Sequence, residues 1–578
     1  MALKCRRLLS QSFPLSPMPF RQALIRYLKS QTFPQLRPHW QAWHYRLHYD
    51  RWQRRNRLNP TIPEIGPRIS LILTTSRPFS NAQLQTTLDS LEAQTYRNYE
   101  IQHEIQQALD ATNLTLTDRF NQALSQSTGD FVARIEPGDR LDPNALAAIA
   151  EFLNANPNLD FIYSDEDQLD RRGKRHQPVF KPDWCPDSLL SRHYTGQLAL
   201  YRTAIVQALG GFRSGYEGSE DYDLTLRITE KTTHIGHLPQ VLYHRNPVSL
   251  DSNRSNSRSN SAQRVLQETL RRRGEPGEVV PIVNANGQAY PGLYTIRYHL
   301  PQQPLVSIII PTRDLAPILD RCLSSIDQRT TYPNFEILIV DNGSQNPDTF
   351  QLFDRWQQRW GDRLKVLPYD IPFNYSKLNN FAATQAKGDY LLFLNNDTEV
   401  ITPDWLTALV EQAQHPRIGA VGAKLLYPDR SLQHAGVILG IKGGAGHGHR
   451  HFPPNALGYQ NQVVTMNNYS AVTAACLLCR KTYFQQVNGF DEDLAIDMND
   501  VDFCLKLQQQ GYFNLYLPHV QLYHHESKSR GFNDSLEKRA RARREVDAFR
   551  QKWQGAIAHD PCYSPNLTRD RSAYTLRL

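Results

Sequence analysis

In the second half of the chain, polar residues follow directly after three short apolar segments. One of these segments, Tyr390–Leu394, is followed by Asn395-Asn396-Asp397. A carboxylate at the tip of a buried strand can hold Mg²⁺ or Mn²⁺, which bind one or two protein carboxylates together with substrate phosphates. The other two segments end in Pro311-Thr312-Arg313 and Asp341-Asn-Gly-Ser344. Taken singly, the acids in these segments are more typical of turns, but together they favour a functional site.

The sequence around these residues predicts the elements that position them. Apolar, β-branched segments such as Val306–Ile310 and Phe335–Val340 alternate with helical patterns such as Leu319–Ile326. Continuous apolar strands separated by helices are typical of a parallel sheet that is covered on both faces. Ligands of such sheets bind beyond the carboxyl ends of the strands. We therefore expect the three polar segments to meet at one edge of the sheet, where Asp341 could accept hydrogen bonds from a base or ribose.

The chain contains two copies of this pattern. Five pairs of segments match in order: Pro67–Arg77 with Pro304–Arg313, Asn121–Asp130 with Asn380–Asp389, Gly211–Phe212 with Gly489–Phe490, Glu220–Asp223 with Asn499–Asp502, and Leu242–His244 with Leu522–His524. Five ordered matches predict two homologous units. The predicted fold class is α/β, with two tandem Rossmann-like domains whose sheets are mostly parallel.

The repeat divides the chain into five parts. The two units span residues 66–250 and 304–531, and residues 251–303 form a linker with a helix (Ala262–Arg273) and a strand (Tyr294–Leu300). The linker begins with a polar, low-complexity stretch, Asp251–Ser261, which is typical of a loop. A basic extension (1–65) precedes the units, and a basic helix with a tail (532–578) follows them.

The second unit resembles the family 2 glycosyltransferases, which have the GT-A fold of nucleotide-diphospho-sugar transferases. The motifs that carry the resemblance lie in the family's order over essentially all of residues 304–531. They are Ser-Ile-Ile-Ile-Pro-Thr-Arg, Val-Asp-Asn-Gly-Ser, Ala-Lys-Gly-Asp-Tyr-Leu-Leu-Phe-Leu-Asn-Asn-Asp, Asn-Gly-Phe-Asp-Glu and Asn-Asp-Val-Asp-Phe-Cys.

The resemblance implies a role for individual residues. Asp341 would bind the nucleotide, and Asn395-Asn396-Asp397 stands where the family has Asp-X-Asp, which leaves Asp397 as the carboxylate ligand of the metal. His524 would complete the metal site, and Asp500 would be the general base. An inverting transfer needs such a base for the acceptor hydroxyl and a cation for the departing diphosphate. The implied donor-binding residues are Pro311, Thr312, Arg313, Asp341, Asn395 and Asn396.

Other interpretations of the same residues stay open. Asp500 and Asp502 begin a helical pattern, so they could simply be acids at a helix N-terminus. His434 and Asp502 are candidates for the acceptor side. The segment Gly443–His451 contains four glycines and three histidines, which we interpret as a mobile loop over the site rather than a metal centre. Neighbours in a strand point to opposite faces, so only one of the adjacent histidines can enter the site. The repeat register and the family pattern favour His524 over His525.

The first unit keeps the scaffold but departs from the donor motifs. It has no Asp-Asn-Gly-Ser sequence after its second strand, and the spacing of the repeats implies that about 22 residues are missing there. By that spacing, Gly138 falls opposite Asp397, with Glu136 and Asp139 nearby, whereas Asp221 and His244 persist. We interpret this unit as a degenerate transferase that binds acceptor glycan or supports the second unit.

The basic charge of the chain is concentrated in its first residues. Of 65 Lys and Arg and 57 Asp and Glu, residues 1–60 contain 12 basic residues and one acid, so the remainder is slightly acidic. A nucleic-acid-binding coat is thereby excluded. The extension is basic and aromatic, which suits an anionic membrane surface, or equally a helical extension packed on the first unit. The aromatic, apolar and basic residues on which this rests are Phe20, Arg21, Leu24, Arg26, Tyr27, Leu28, Lys29, Trp40, Trp43, Tyr45, Tyr49 and Trp52.

The remaining composition favours a cytoplasmic protein, peripheral on the inner face of the plasma membrane if the extension binds lipid. Seven scattered cysteines do not form a disulfide framework. No stretch approaches 18 consecutive apolar residues, so we expect no spanning helix.

The expected function is a metal-dependent, inverting glycosyltransferase. It would move a sugar from a nucleotide-diphospho-sugar to a glycan or lipid-linked acceptor in cell-surface polysaccharide biosynthesis, with Mg²⁺ or Mn²⁺ as cofactor and the second unit as catalyst. A bifunctional transferase with two active units and a non-enzymatic glycan-binding or assembly protein are the alternatives. A nucleotidyltransferase is disfavoured because no Gly-rich, basic phosphate loop follows the first strand.

Overall fold

The computed structural model of the chain describes residues 37–74, 79–103, 115–246, 252–526, 535–570 and 574–578, without the side chains of 37–43 and 252–259. The expectations that rest on residues 1–36, and on the side chains of Trp40 and Trp43, lie outside these described parts. No helix among the described residues is long and apolar enough to cross a bilayer.

The N-terminal helix α1 (Arg37–Arg55) leads into the first unit. The elements of that unit are β1 (Ile69–Leu73), α2 (Asn81–Glu92), β2 (Tyr99–His103), α3 (Leu116–Gln126), β3 (Phe131–Ile135), β4 (Arg140–Leu141), α4 (Ala145–Ala155), β5 (Phe161–Leu169), β6 (Arg175–Val179), α5 (Pro186–Ser191), β7 (Ala199–Arg202), α6 (Thr203–Ala208), α7 (Glu220–Thr229) and β8 (Ile235–Arg245). The strands form one sheet in the order β2-β1-β3-β7-β5-β8-β4, and β6 pairs with β5.

The linker consists of helix α8 (Ser252–Arg273) and an antiparallel hairpin of β9 (Gly277–Val283) and β10 (Ala289–Tyr298). The helix begins ten residues before the expected start at Ala262, within the stretch that we interpreted as a loop. Helices are recognised in sequence by their apolar periodicity, which the Ser, Asn and Arg residues of this stretch lack. The same residues, free of Gly and Pro, nevertheless tolerate helical backbone.

The second unit repeats the fold of the first with an additional edge. Its elements are β11 (Val306–Thr312), α9 (Ala316–Arg329), β12 (Phe335–Asp341), α10 (Pro347–Trp360), β13 (Leu364–Pro368), α11 (Tyr375–Gln385), β14 (Tyr390–Leu394), β15 (Thr398–Val400), α12 (Trp405–Ala413), β16 (Ile418–Leu426), β17 (Leu432–His434), β18 (Val437–Leu439), β19 (Ala445–His447), β20 (Asn467–Tyr469), β21 (Cys476–Arg480), α13 (Lys481–Gln486), α14 (Asn499–Gln509) and β22 (Phe513–His524). Two helices follow, α15 (Leu536–Lys552) and α16 (Gln554–Ala558).

The sheet of the second unit has the order β13-β12-β11-β14-β21-β16-β22-β15. Without β13, this order and its parallel and antiparallel pairings are those of the first sheet, so the α/β fold class with two tandem domains is confirmed. The sheets are mixed rather than mostly parallel as expected, since only three of the seven strand pairings described in the first sheet are parallel. The half formed by β11 to β14 is parallel, and β21 introduces antiparallel pairs beyond it. Strands β11, β12 and β14 are buried along their whole length, which explains their continuous apolar sequence.

Polar contacts join the two units. Asp187 of α5 accepts hydrogen bonds from Asn468 Nδ2 at 2.8 Å and from the guanidinium of Arg417 at 2.9 Å. The C-terminal tail also bridges the units, because Asn566 Nδ2 donates to Asp165 Oδ2 of the first unit and Asp560 Oδ2 accepts from Leu439 N of the second. The tail is therefore part of the core.

The described part of the N-terminal extension packs on the first unit. Tyr49 and Trp52 of α1 are only 3% and 4% exposed. Tyr49 donates from its hydroxyl to Asp167 Oδ2 at 2.6 Å, and the Trp52 ring packs against Phe180. These two aromatic residues accordingly belong to the protein core.

Candidate active site

Three strand ends meet at the edge where the sequence analysis expects a ligand. Thr312, the last residue of β11, is the register partner of Asp341 at the end of β12. Asn396, just after β14, donates from Nδ2 to Thr312 Oγ1 at 2.9 Å. Pro311 lies within buried β11, and Arg313 is exposed immediately after it. The implied donor residues are therefore neighbours in space.

The turn after β12 fixes the orientation of Asp341. Its Oδ1 accepts a hydrogen bond from Ser344 N at 3.1 Å, and the side chain is only 7% exposed. Gly343 adopts φ +74°, and a Cβ at that position would collide with the carboxylate of Asp370. The turn thus requires glycine. Helix α10 starts soon afterwards, with Pro347 at its start and Asn346 Oδ1 accepting from Asp348 N.

Asp397 and His524 lie side by side at this edge. Asp397 Oδ1 and His524 Nε2 are 3.2 Å apart, because Thr398 of β15 pairs with His524 of β22. Asn395 Nδ2 approaches the same His524 Nε2 at 3.3 Å. Within the described chain, Asp397 Oδ1 is buried and has no hydrogen-bond partner.

This pair fits a divalent cation. A carboxylate oxygen without a hydrogen bond faces an imidazole nitrogen, and both atoms are common ligands of such ions. No group of three or more His, Cys, Asp or Glu residues that could hold a metal occurs in the described ranges. Two protein ligands nevertheless suffice for Mg²⁺ or Mn²⁺ when phosphate oxygens and water complete the shell.

Asp500 lies on the other side of the end of β14. It stands in the first turn of α14, where Oδ2 accepts from Ala474 N at 3.1 Å and Oδ1 from Val501 N at 2.8 Å. The adjacent Ala475 accepts from Asn395 N at 3.1 Å, which ties this turn to the metal-binding edge. Burial raises the pKa of Asp500, and its backbone hydrogen bonds only partly offset that effect. Such a carboxyl group is a better proton acceptor than an ordinary aspartate.

The two candidates for the acceptor side have different surroundings. His434 is fully buried, and its Nδ1 lies 2.9 Å from His447 Nδ1. Burial, together with His447 and His524, lowers the pKa of His434 well below its usual value. Asp502 is also fully buried, but its Oδ1 accepts from Trp553 Nε1 of the C-terminal region at 2.8 Å. A role in acceptor binding stays a prediction for both residues.

Sequence reasoning missed two residues near this site. The segment that we interpreted as a mobile loop contains the hairpin strand β19, which carries His447 to His434. Glu526 follows His524 by two residues and pairs with Arg450 at 2.9 Å. The position of Glu526 beside His524 in sequence was an available signal. The three histidines of Gly443–His451 were the signal for His447, but the glycines around them favoured a loop over a short strand.

The counterpart of Asp397 in the first unit is Asp139, not Gly138 as the repeat spacing predicted. Arg140 pairs with His244 as Thr398 pairs with His524, so the turn before it contains one additional residue. Asp139 Oδ2 accepts from the Tyr243 hydroxyl at 2.6 Å, and Oδ1 accepts from Asn246 N at 2.8 Å. Both oxygens of this carboxylate are therefore engaged.

The counterpart of Asp500 in the first unit is also engaged. Asp221 Oδ1 accepts from Arg134 Nε at 3.0 Å, and the same guanidinium binds Oδ2. Arg134 occupies the strand position that Phe393 has in the second unit. His244 Nδ1 lies 2.7 Å from Asp167 Oδ1, a further contact at this edge. The acidic groups of this edge are thus paired with other side chains or with the backbone.

Parts of the chain are similar to known proteins. Residues 307–487 match the family model described as glycosyl transferase family 2. "Uncharacterized protein y4gI" of Sinorhizobium fredii (strain NBRC 101917 / NGR234) is 39% identical over 540 residues, which cover 88% of this chain and 59% of the relative. "O-antigen biosynthesis protein RfbC" of Myxococcus xanthus is 40% identical over 458 residues, covering 78% of this chain and 34% of that protein. The chain therefore spans between a third and three fifths of these relatives.

One similar solved structure is that of the mannosyltransferase PcManGT from Pyrobaculum calidifontis in complex with GDP-Man and Mn²⁺. The two sequences are 17% identical, and the match covers 52% of this chain and 74% of the PcManGT chain. The TM-score of this match is 0.34. Asp500 and His524 lie beyond the end of the family match at residue 487.

Proposed function

We propose that the second unit, in which residues 307–487 match the family model of glycosyl transferase family 2, transfers a sugar, with inversion, from a nucleotide-diphospho-sugar to an acceptor hydroxyl. The acceptor is a glycan or lipid-linked glycan in the biosynthesis of a cell-surface polysaccharide. The kinship with an O-antigen biosynthesis protein over 78% of this chain supports that acceptor class.

The observation that carries the proposal is the position of Asp500. Its half-buried carboxylate has a raised pKa and accepts a hydrogen bond from Ala474 N. The next residue, Ala475, accepts a hydrogen bond from Asn395 N, at the edge that also contains Asp397. Asp500 takes the proton of the acceptor hydroxyl as that oxygen attacks the anomeric carbon. The diphosphate leaves from the opposite face of the sugar, so a single displacement inverts the configuration.

The donor end of the site holds the nucleotide. Asp341 and the turn after it, fixed by Ser344 and Gly343, accept hydrogen bonds from the base or ribose. Asp397 and His524 would hold Mg²⁺ or Mn²⁺, which supplies positive charge to the departing diphosphate. Thr312 and Asn396, joined by a hydrogen bond, line the edge between them.

The first unit has a supporting role in this proposal. Asp221 is paired with Arg134, and Asp139 with Tyr243 and Asn246, so neither carboxylate is free to act as a base or a metal ligand. These contacts favour one active unit over the bifunctional alternative. The cytoplasmic location and the anionic membrane surface, as a partner of the N-terminal extension (1–65), stay predictions from the sequence.

The test uses the purified full chain with a panel of UDP-, GDP- and dTDP-sugars and saccharide acceptors. We expect release of the nucleotide diphosphate from one donor class, its loss on addition of EDTA, and a product of inverted anomeric configuration by NMR. Asp500→Asn should abolish transfer. Retention of configuration, or wild-type turnover by Asp500→Asn, would contradict the proposed mechanism, and no turnover of any donor would contradict the function.

A further inference from the structure

The C-terminal helix α15 contacts the segment that leads into Asp500. Glu545 is only 5% exposed, and its Oε2 accepts hydrogen bonds from Ile496 N at 3.1 Å and Asp497 N at 2.6 Å. These two amides lie three and four residues before Asp500. One carboxylate of α15 therefore fixes the backbone just ahead of the candidate base.

The end of the same helix contacts the residue that lies two positions after Asp500. Trp553 Nε1 donates to Asp502 Oδ1 at 2.8 Å, and Lys552 Nζ lies 2.7 Å from the same oxygen. Lys552 also pairs with Asp491 Oδ2 at 2.7 Å. Asp502 is fully buried, so these contacts replace the water that would otherwise solvate its charge.

The first turn of α14 depends on such external contacts. It starts after Met498, which has a left-handed backbone with φ +69°, and no side chain caps its N-terminus. Helix α11 holds the approach from the other side, where Tyr375 N donates to Ala495 O at 2.7 Å. The segment that leads into Asp500 is thus held between α11 and α15. Helix α11 lies within residues 307–487, which match the family model, and α15 lies outside them.

We infer that Glu545, Lys552 and Trp553 are positioning residues that hold the carboxylate of Asp500 in line with the acceptor hydroxyl. The inference rests on the proposed function of the second unit. A displacement of about 1 Å at a reacting group can cost about 100-fold in rate, so loss of these contacts should reduce turnover without reducing donor binding. The catalytic unit accordingly extends past β22 to residue 553.

The experiment compares Glu545→Ala, Trp553→Phe and Lys552→Ala with wild type in the full chain. Trp553→Phe keeps an aromatic ring and removes only the N–H donor, and Lys552→Arg is the conservative variant that restores a cation beside Asp502. Arg544→Ala, on the exposed face of α15, is the matched control. The readouts are kcat and KM for the donor that wild type turns over, the thermal midpoint, and hydrogen exchange of the amides of residues 491–503.

We expect kcat to fall about 10-fold to 100-fold in the three variants at an unchanged KM for the donor, with Lys552→Arg close to wild type and Arg544→Ala unaffected. The amides of Ile496 and Asp497 should exchange faster in Glu545→Ala, which reports the contact without any activity assay. Faster exchange with wild-type kcat in all three variants would overturn the inference and leave the proposed function standing. If wild type turns over no donor of the panel, the proposed function fails first and the inference falls with it.

Discussion

Arg134 and Asp221 form a bidentate ion pair in the first unit, at the position where the second unit has Phe393 and Asp500. Arg134 Nε donates to Asp221 Oδ1 at 3.0 Å, and the Arg134 side chain is only 9% exposed. A carboxylate that is bound by a buried guanidinium is less available to accept a proton from a substrate. The pair therefore supports the proposal that only the second unit is catalytic.

The first prediction follows from that pair. Asp221→Asn should leave the turnover of the folded enzyme unchanged, whereas Asp500→Asn should abolish it. Because Arg134 would keep its contacts with Glu136 and Thr74 O but lose the charge of Asp221, Asp221→Asn should also reduce the free energy of unfolding by about 1–3 kcal/mol. Transfer assays and urea denaturation of both variants measure the two effects. Loss of turnover in folded Asp221→Asn would show that the first unit takes part in catalysis.

The second prediction concerns the metal. Asp397→Ala and His524→Ala should each weaken Mn²⁺ binding in the presence of nucleotide diphosphate by about 10-fold or more, because each removes one of two protein ligands. Electron paramagnetic resonance of Mn²⁺ measures this affinity independently of turnover. His525→Ala is the control, since its Nε2 lies 3.3 Å from Glu399 and not at the metal pair. Equal Mn²⁺ affinity in all three variants would place the metal elsewhere.

The third prediction uses the raised pKa of Asp500. As the pH falls through this pKa, the base is protonated, so the acidic limb of kcat should lie above the ordinary titration range of aspartate. The charged form of Asp500, which catalysis needs, lowers the stability of the folded state. A carboxyl group whose pKa is raised in the folded state destabilises that state when it is charged, so Asp500→Asn should unfold at an equal or higher temperature at neutral pH. A lower thermal midpoint of Asp500→Asn would contradict the assigned direction.

The fourth prediction concerns the contact between the two units. Although burial opposes ionisation of Asp187, the guanidinium of Arg417 and the amide of Asn468 lower its pKa. The stability it contributes is therefore present at neutral pH and is lost as the pH falls through that lowered pKa. Asp187→Ala should reduce the free energy of unfolding by about 1–3 kcal/mol, because buried Asn468 loses its acceptor and partly buried Arg417 keeps only Glu275 of its two acidic partners. Denaturant curves at neutral and acidic pH, with exposed Asp362→Ala as control, test this.

The strands of the second unit and the residues at their ends can be read from the amino-acid sequence alone. Each of β11, β12 and β14 is a continuous apolar segment, and parallel strands bring their carboxyl ends to one edge, so the proximity of Thr312, Asp341 and Asn396 follows from the pattern. The repeat likewise predicted two sheets of one topology. These features depend on local periodicity, which a single sequence records directly.

The partners of the acidic groups, in contrast, became visible only in the folded chain. These contacts join residues that are far apart in sequence. Arg134 donates to Asp221, and Tyr243 donates to Asp139. Glu545 and Trp553 contact the residues on either side of Asp500. The additional residue before Arg140 shifted the register of the turn, which repeat spacing could not detect. Side-chain pairing depends on the packing of whole elements against one another, and no periodicity in the chain encodes it.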